Sequence, residues 1–379
     1  MLKVMIVGCG GIAPAHIEGY LKFGELATIT HLVDPNLERA HTLIAKYNLQ
    51  NAIAQADYAE ALPLVDAVSI CTPPALHCGA VVDSLRNGCH VLVEKPMAPS
   101  LAECDQMIQA AQKHDRLLSV VVQSRFISDI RNVVEMVKSG AYGKNLYTRV
   151  HSSWYRGESY YDLAWRGRWE VEGGGSTQNQ SIHHIDLLLW TKGMPTSIRS
   201  FMTNLNHHNS QEEDFSSSIL RYEDGSIAEL TSSLIDHSSP QSLTFQMEKA
   251  GIGIPFQAFA SKARPNGFPI ANEEMVAQVT ADFQARPKLT SEKHEGQIRN
   301  FLLAINGEQP LLATAIDGRN CIELITGVYQ SAIENKDVTF PITQGSDYYT
   351  SKWRVNAPHF FEKSRDIEAF EDTTITNNS

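Results

Sequence analysis

The sequence predicts a two-domain α/β protein: a doubly wound parallel sheet first, then an α/β domain with a large, open, mainly antiparallel sheet. Three observations carry this. Apolar runs alternate with helical periodicity over residues 1–123. Those runs are apolar throughout, as in strands covered on both faces. After residue 124 the rhythm changes to longer segments separated by turns.

LKVMIV (2–7) reads as a buried strand, and residues 11–23 as a helix that tolerates Pro14 in its first turn. Strands at 27–34, 66–72, 90–95 and 117–123 alternate with helices at 36–47, 75–87 and 100–114. A helix over 127–138 and a strand over 145–154 follow, then the aromatic loop WYRGESYYDLAWRGRW. Asp224-Gly225 between alternating runs signals a hairpin. Residues 250–290, rich in Gly and Pro, read as a long excursion, before helices near 294–306 and 314–334. The expected domains are 1–123 and 124–342, followed by a patternless C-terminal extension, 343–379, whose tail ITNNS is expected to fray.

The chain has 379 residues and a net charge of -11, with no run of Lys or Arg. An acidic surface repels phosphate backbones and anionic lipid, which argues against nucleic-acid or membrane partners. The N-terminus lacks the h-region of a signal peptide, and LPLVDAVSICTPPALHCGAVV is broken by Asp66 and Pro73-Pro74, so no membrane span is expected. The six cysteines form no CxxC pair and sit in apolar runs, as expected of a reduced cytoplasmic protein.

Gly8-Cys9-Gly10-Gly11-Ile12-Ala13 matches G-x-G-x-x-G/A directly after a strand and opens a helix. Such a turn brings backbone N–H groups and a helix N-terminus to a pyrophosphate. Asp34 ends the second strand, where a carboxylate holds the adenosine ribose. It repels a 2′-phosphate, which favours NAD over NADP. Capping of the next helix by Asp34 is compatible with that role. Glu94-Lys95-Pro96 ends another buried strand, and ligands bind at that edge of such sheets.

GCGGIA, Asp34, Thr72-Pro73, Glu94-Lys95-Pro96 and GGG followed by NQSIHHIDLLLW together resemble the Gfo/Idh/MocA oxidoreductases, over most of residues 1–340. The resemblance implies a Rossmann domain paired with an open-sheet α/β domain, and NAD(P)-dependent chemistry on sugars, inositols or nucleotide sugars. It implies that Gly8, Gly10, Gly11, Ile12, Asp34, Thr72, Pro73, His77, Glu94, Lys95 and Gln123 lie at the cofactor, with Trp165 and Arg166 approaching from the second domain. An aromatic anchor beside a surface cation is the other reading of that pair. Pro74 stands where the family often has Asn.

The stretch QNQSIHHID (178–186) holds the candidate chemistry. His183 and His184 are adjacent, so on a helix they point about 100° apart and do not share a metal ion. No further Cys or His completes a site, and no metal is expected. The chain lacks a G-x-S-x-G elbow, which excludes that hydrolase pattern. Asn179 and His183, four residues apart, are expected on one helical face. By the resemblance His183 is the catalytic histidine, and Asn179 stands where many members carry Asp. Asn cannot take up a proton, so proton transfer falls to His183 and Lys95, and Asn179 positions the substrate. A satisfied core histidine is the alternative for His183. Asp186 is expected to orient a neighbour or tether the helix, and Arg156, Tyr160 and Tyr161 to wall the substrate.

The expected activity is hydride transfer between a secondary alcohol of a carbohydrate-like substrate and NAD. Alternatives are an NAD-dependent, redox-assisted glycoside hydrolase, a non-catalytic NAD-binding regulator, or a ketone reductase. An open sheet needs cover, so a homo-oligomer, dimer or tetramer, is expected.

Overall fold

The computed structural model describes residues 1–237, 241–368 and 370; the tail ITNNS lies outside them. Six parallel strands form the first sheet: β1 (Leu2–Val7), β2 (Ala27–Val33), β3 (Ile53–Gln55), β4 (Ala67–Ile70), β5 (His90–Val93) and β6 (Leu118–Val120). Their order is β3-β2-β1-β4-β5-β6. The order reverses between β1 and β4, and the carboxyl ends there flank a crevice suited to a dinucleotide. The covering helices are α1 (Ala13–Leu21), α2 (Leu37–Lys46), α3 (His77–Arg86) and α4 (Leu101–His114). β3 escapes a sequence reading because it is an edge strand of three residues with no buried position.

The second unit contains α5 (Ser128–Lys138), β7 (Asn145–Ser153), the one-turn α6 (Ser176–Asn179), α7 (Ile182–Lys192), β8 (Ser197–Thr203), β9 (Phe215–Arg221), β10 (Ile227–Ser233), β11 (Ser242–Met247), β12 (Gly251–Ile254) and β13 (Gln257–Phe259). Beyond them lie β14 (Ser261–Ala263), β15 (Pro269–Ala271), α8 (Glu273–Ala285), α9 (Lys293–Ile305), α10 (Ala315–Glu334) and β16 (Val338–Thr339). The large sheet runs β13-β12-β11-β7-β10-β9-β8-β16. Only β7 and β10 pair in parallel; the other pairs are antiparallel. Asp224-Gly225 turns the hairpin between β9 and β10, where Arg221 faces Ile227. One face packs on α7 and α10. On the other, Phe201, Ile219 and Ile227 are exposed.

The excursion expected at 250–290 is a correction. It contains four strands and α8, which Phe283 pins by stacking on Phe256 with ring centroids 3.7 Å apart. Its strands are too short for alternation to register. α9 returns to the first sheet, where Ile298, Phe301 and Leu302 share a core with Val4, Ile6 and Ile17. Gln297 donates to Val120 O (2.7 Å) and accepts from Val122 N–H (2.9 Å), continuing the edge of β6.

The C-terminal segment folds back over its own chain. Trp353 packs edge-on against Trp169 at 5.8 Å, and Ile367 bridges to Leu163 beside the aromatic loop. No helix among the described residues is long and apolar enough to cross a membrane.

Arg125, just after β6, joins the two units. Its guanidinium donates to both oxygens of Asp186 on α7 (2.9 and 2.6 Å) and to Asp317 on α10 (2.9 Å). Both Arg125 and Asp186 are buried, so removing Arg125 strands the Asp186 carboxylate, whereas removing Asp186 leaves Arg125 its contact with Asp317. Arg125→Ala is therefore expected to lower unfolding free energy by about 3–5 kcal/mol, read by denaturant titration. A loss below about 1 kcal/mol, the range of exposed pairs, would contradict this.

Candidate active site

The glycine turn grows from β1. Gly8 has φ +95°, and a Cβ there would lie 2.7 Å from Cys71 O, so the turn needs glycine to pass the end of β4. At Gly10 and Gly11 an added Cβ would meet nothing within 4 Å, so that backbone faces open space. Among the described residues no acceptor meets the N–H of Gly11 or Ile12. These donors at the start of α1 suit a pyrophosphate. The Asp34 carboxylate accepts from Cys9 N–H (2.9 Å) and Asn36 N–H (2.9 Å), which ties the turn to the end of β2. Asn36, not Asp34, caps α2, accepting from Glu38 N–H.

Lys95 lies two residues past the end of β5, next to Glu94. The Glu94 carboxylate turns back into the first domain: its Oε1 meets His16 Nε2 (2.9 Å) and His294 Nε2 (3.7 Å). These three ligand atoms lie within 4.8 Å of one another. His16 also meets Ser69 Oγ, and Ser69 meets the Tyr20 hydroxyl. Glu94 thus braces α1 and α9, and the two histidines hold its carboxyl well below the usual range, against the effect of burial.

His77 corrects an expectation. It is wholly buried, with Nε2 2.7 Å from Thr72 O and Nδ1 near Pro96 O and Met97 O. It can reach a cofactor only through the two turns it clamps. Pro73 follows Thr72 on that loop. Thr72 Oγ1 and Gln123 Oε1 are buried without a protein partner. Such atoms are suited to an incoming polar ligand.

The opposite wall comes from the second unit. The expected continuous helix through Asn179 and His183 is interrupted: α6 ends at Asn179 and α7 starts at Ile182. Gln180 and Ser181 N–H both turn back to Ser176 O (3.2 and 3.1 Å), so the two residues do not stack as a simple four-residue pair. The break frees Asn179 O, which accepts from Lys95 Nζ at 3.4 Å. His183 opens α7 and is partly exposed. Burial and the Lys95 charge push its pKa well below the usual imidazole value. Burial also lowers Lys95; Glu94 opposes that shift and Arg166 adds to it. His184 faces away, bonded to Ser152 on β7 at 2.8 Å.

In the aromatic loop, Arg166 lies 3.9 Å over the Tyr160 ring and 4.0 Å over Trp165, which is exposed. Arg156 flanks Tyr160 at 5.6 Å. Tyr161, expected in the substrate wall, is a correction. It is only 1 % exposed and packs edge-on against Tyr160 and His207. Tyr160, whose ring stands 87° from that of Tyr161, is the half-buried member of the pair.

A buried carboxylate missed from sequence organises this wall. Glu172 accepts from Arg166 Nη1, Gly167 N–H and Asn179 Nδ2, each at 2.7 Å. Asn179 Nδ2 also donates to Gly174 O at 2.7 Å. Behind it, Glu212, Glu213 and Asp214 are all wholly buried. Glu213 accepts from Gly175 N–H, Thr177 N–H and the Tyr329 hydroxyl. Burial lifts its carboxyl to about 7. A Cβ on Gly175 would lie 1.9 Å from Glu213 O, which explains a glycine there. An EED triplet reads as solvated surface; the nearby GGG was the one local sign of close backbone approach.

The model described as "Oxidoreductase family, NAD-binding Rossmann fold" matches residues 2–122, and "GFO/IDH/MocA C-terminal domain" matches 130–253. D-glucoside 3-dehydrogenase of Escherichia coli (strain K12) is 24% identical over 87% of this chain and 95% of its own length. An inositol 2-dehydrogenase of Leifsonia xyli is 29% identical over 52% of this chain and 55% of its own. The WlbA dehydrogenase from Bordetella pertussis, solved with NADH and UDP-GlcNAcA, superposes with a TM-score of 0.76 at 24% identity, covering 90% of this chain and 98% of that one. An aldose-aldose oxidoreductase from Caulobacter crescentus, solved with glycerol, gives a TM-score of 0.71 at 20% identity, covering 89% of this chain and 99% of that one.

Gly8→Ala combines a strained φ with a backbone clash. Its expected cost is about 1–3 kcal/mol of stability, read by thermal melting. An unchanged melt would show that the turn can move away from Cys71.

Proposed function

The chain belongs to the Gfo/Idh/MocA oxidoreductases, and on that premise we propose an NAD-dependent dehydrogenase acting on a ring hydroxyl of a sugar, inositol or sugar derivative. One observation carries the reading: Lys95 of the dinucleotide-binding unit reaches Asn179 O at 3.4 Å, one turn before His183. The D-glucoside and inositol dehydrogenases among the relatives support the substrate class. No observation favours the hydrolase or the regulator.

Gly10, Gly11, Ile12 and Asp34 would hold the dinucleotide, together with Thr72, Pro73 and Gln123 from the first unit and Trp165 and Arg166 from the second. The fixed Asp34 anion supports NAD over NADP. The nicotinamide, when bound, supplies the hydride acceptor. His183, kept neutral by burial and by Lys95, accepts the hydroxyl proton. The Lys95 ammonium stabilises the developing alkoxide. Asn179 has its side-chain amide hydrogens committed to Glu172 and Gly174, so its side-chain oxygen Oδ1 is left to accept from a neighbouring ring hydroxyl. Tyr160 and Arg156 form the outer wall. The exposed Phe201, Ile219 and Ile227 support a homo-oligomer, and six free, buried thiols support a reducing, cytoplasmic setting.

NADH appearance with a panel of inositols, sugars, sugar acids, glycosides and nucleotide sugars tests the proposal. No NADH with any of them, or aglycone release without NADH, would overturn it. His183→Ala is expected to lower turnover by about 10²–10⁴ with NAD⁺ affinity unchanged; retained turnover would remove His183 from the reaction. The pH profile follows from the shifts. A base with a lowered pKa stays neutral to lower pH, so the acid limb of kcat/KM is expected below the ordinary imidazole value of about 6.5. A lysine with a lowered pKa loses its proton earlier, so the alkaline limb is expected below about 10.4. An acid limb above the ordinary imidazole value would contradict this assignment.

A further inference from the structure

We propose that Glu212 is a proton-holding positioning residue: its carboxyl carries a proton, donates it to Glu172, and so fixes the carboxylate that orients Arg166 and Asn179. The kinetic part of this rests on the dehydrogenase reading above; the proton does not.

Glu172 and Glu212 face one another within hydrogen-bond reach. Their surroundings are unequal. Glu172 receives three donors from Arg166, Gly167 and Asn179. Glu212 is wholly buried, neither of its carboxyl oxygens makes a well-formed hydrogen bond, and the backbone N–H of Gly174 is the one donor directed at it. Its main chain is fixed: Glu212 N–H donates to Ser210 Oγ (3.1 Å), and Asn204 Nδ2 donates to Glu212 O (2.8 Å). The carboxyl therefore cannot swing to water.

An ionised carboxylate with a single backbone donor and no cation paired to it is strongly disfavoured in such a place. Two facing carboxylates do not both ionise readily, and the one with fewer donors takes the proton. The other groups around Glu212 do not reverse this. Glu213 adds like charge. Tyr161 and Tyr329 are neutral phenols whose own ionisation burial opposes. Arg354 directs its Nη2 to Pro99 O (2.8 Å) and Gln178 Oε1 (3.4 Å). Around Glu172, Arg166 is the cation and Tyr160 a neutral phenol. Burial and the two neighbouring glutamates push the Glu212 carboxyl well above its usual range, as this arrangement requires. Protonated, Glu212 supplies a fourth donor to Glu172, and the pair carries one negative charge opposite the Arg166 guanidinium.

Infrared difference spectra of wild type and Glu212→Gln at about pH 9, some two units above the Glu213 transition near 7, test the proton directly. The expected result is a protonated-acid carbonyl stretch in wild type that is absent from the variant. Its absence from wild type, or its survival in Glu212→Gln, would overturn the proposal. Glu212→Gln keeps a donor at the same place and is expected to hold KM for the sugar within about two-fold, whereas Glu212→Leu removes it and is expected to raise KM about ten-fold, with NAD⁺ affinity unchanged in both. A native KM in a folded Glu212→Leu would overturn the positioning role. Should Glu212→Leu not fold, the infrared band and Glu212→Gln still decide. If wild type oxidises no sugar, the dehydrogenase reading fails, and the infrared result stands by itself.

Discussion

The buried ion pair of Arg125 with Asp186 fixes the one freedom the candidate site cannot leave open, the rotation of α7 against the first domain. Successive residues on a helix turn by about 100°. With Asp186 gripped by both its oxygens, His184 is turned to Ser152 on β7. His183 is left on the side of Lys95, whose charge it feels. A bidentate guanidinium–carboxylate contact suits this task, because it sets an angle as well as a distance. The third contact, to Asp317, extends the same constraint to α10, the long helix under the large sheet.

Within that frame the break between α6 and α7 does what a continuous helix could not. Two N–H groups turning back to Ser176 O leave the carbonyl of Asn179 free for the Lys95 ammonium. The Asn179 amide is drawn the other way, to Glu172 and Gly174. Charge is layered accordingly. Buried acids, Glu172, Glu212 and Glu213, stand behind the second wall, and the cations Lys95 and Arg166 stand before it. Burial lowers Lys95 and His183. The nearby Glu94, braced by His16 and His294, opposes that loss of charge.

What was legible in the sequence was local or strictly periodic. The glycine turn, Asp34 and the strand ending in Lys95 each follow from a short run of residues, and alternation of strand and helix gave the first sheet except its three-residue edge. The Asp224-Gly225 hairpin needed only its own turn chemistry. Readings that depended on helical phase or tertiary burial fared worse. Asn179 and His183 are four apart, but the spacing rule holds only within an unbroken helix. Tyr160 and Tyr161 are chemically alike, and nothing local says which ring faces inward. His77 and the Glu212-Glu213-Asp214 triplet look like surface chemistry, yet partners more than a dozen residues away, such as Met97 and Tyr329, bury them. The helix α8 was lost among glycines and prolines, because its stacking partner Phe256 lies outside it.

The proposed chemistry makes Lys95 and His183 partners in one hydride transfer between a ring carbon and the dinucleotide. The direct measurement is deuterium transfer: a sugar from the accepted class, labelled at the carbon to be oxidised, is incubated with NAD⁺, and the reduced dinucleotide is analysed by mass spectrometry. Direct transfer places one deuterium in the dinucleotide for each sugar oxidised, and both signals are lost in Lys95→Ala. An oxidised sugar with no deuterium in the dinucleotide, or undiminished transfer in Lys95→Ala, would contradict it.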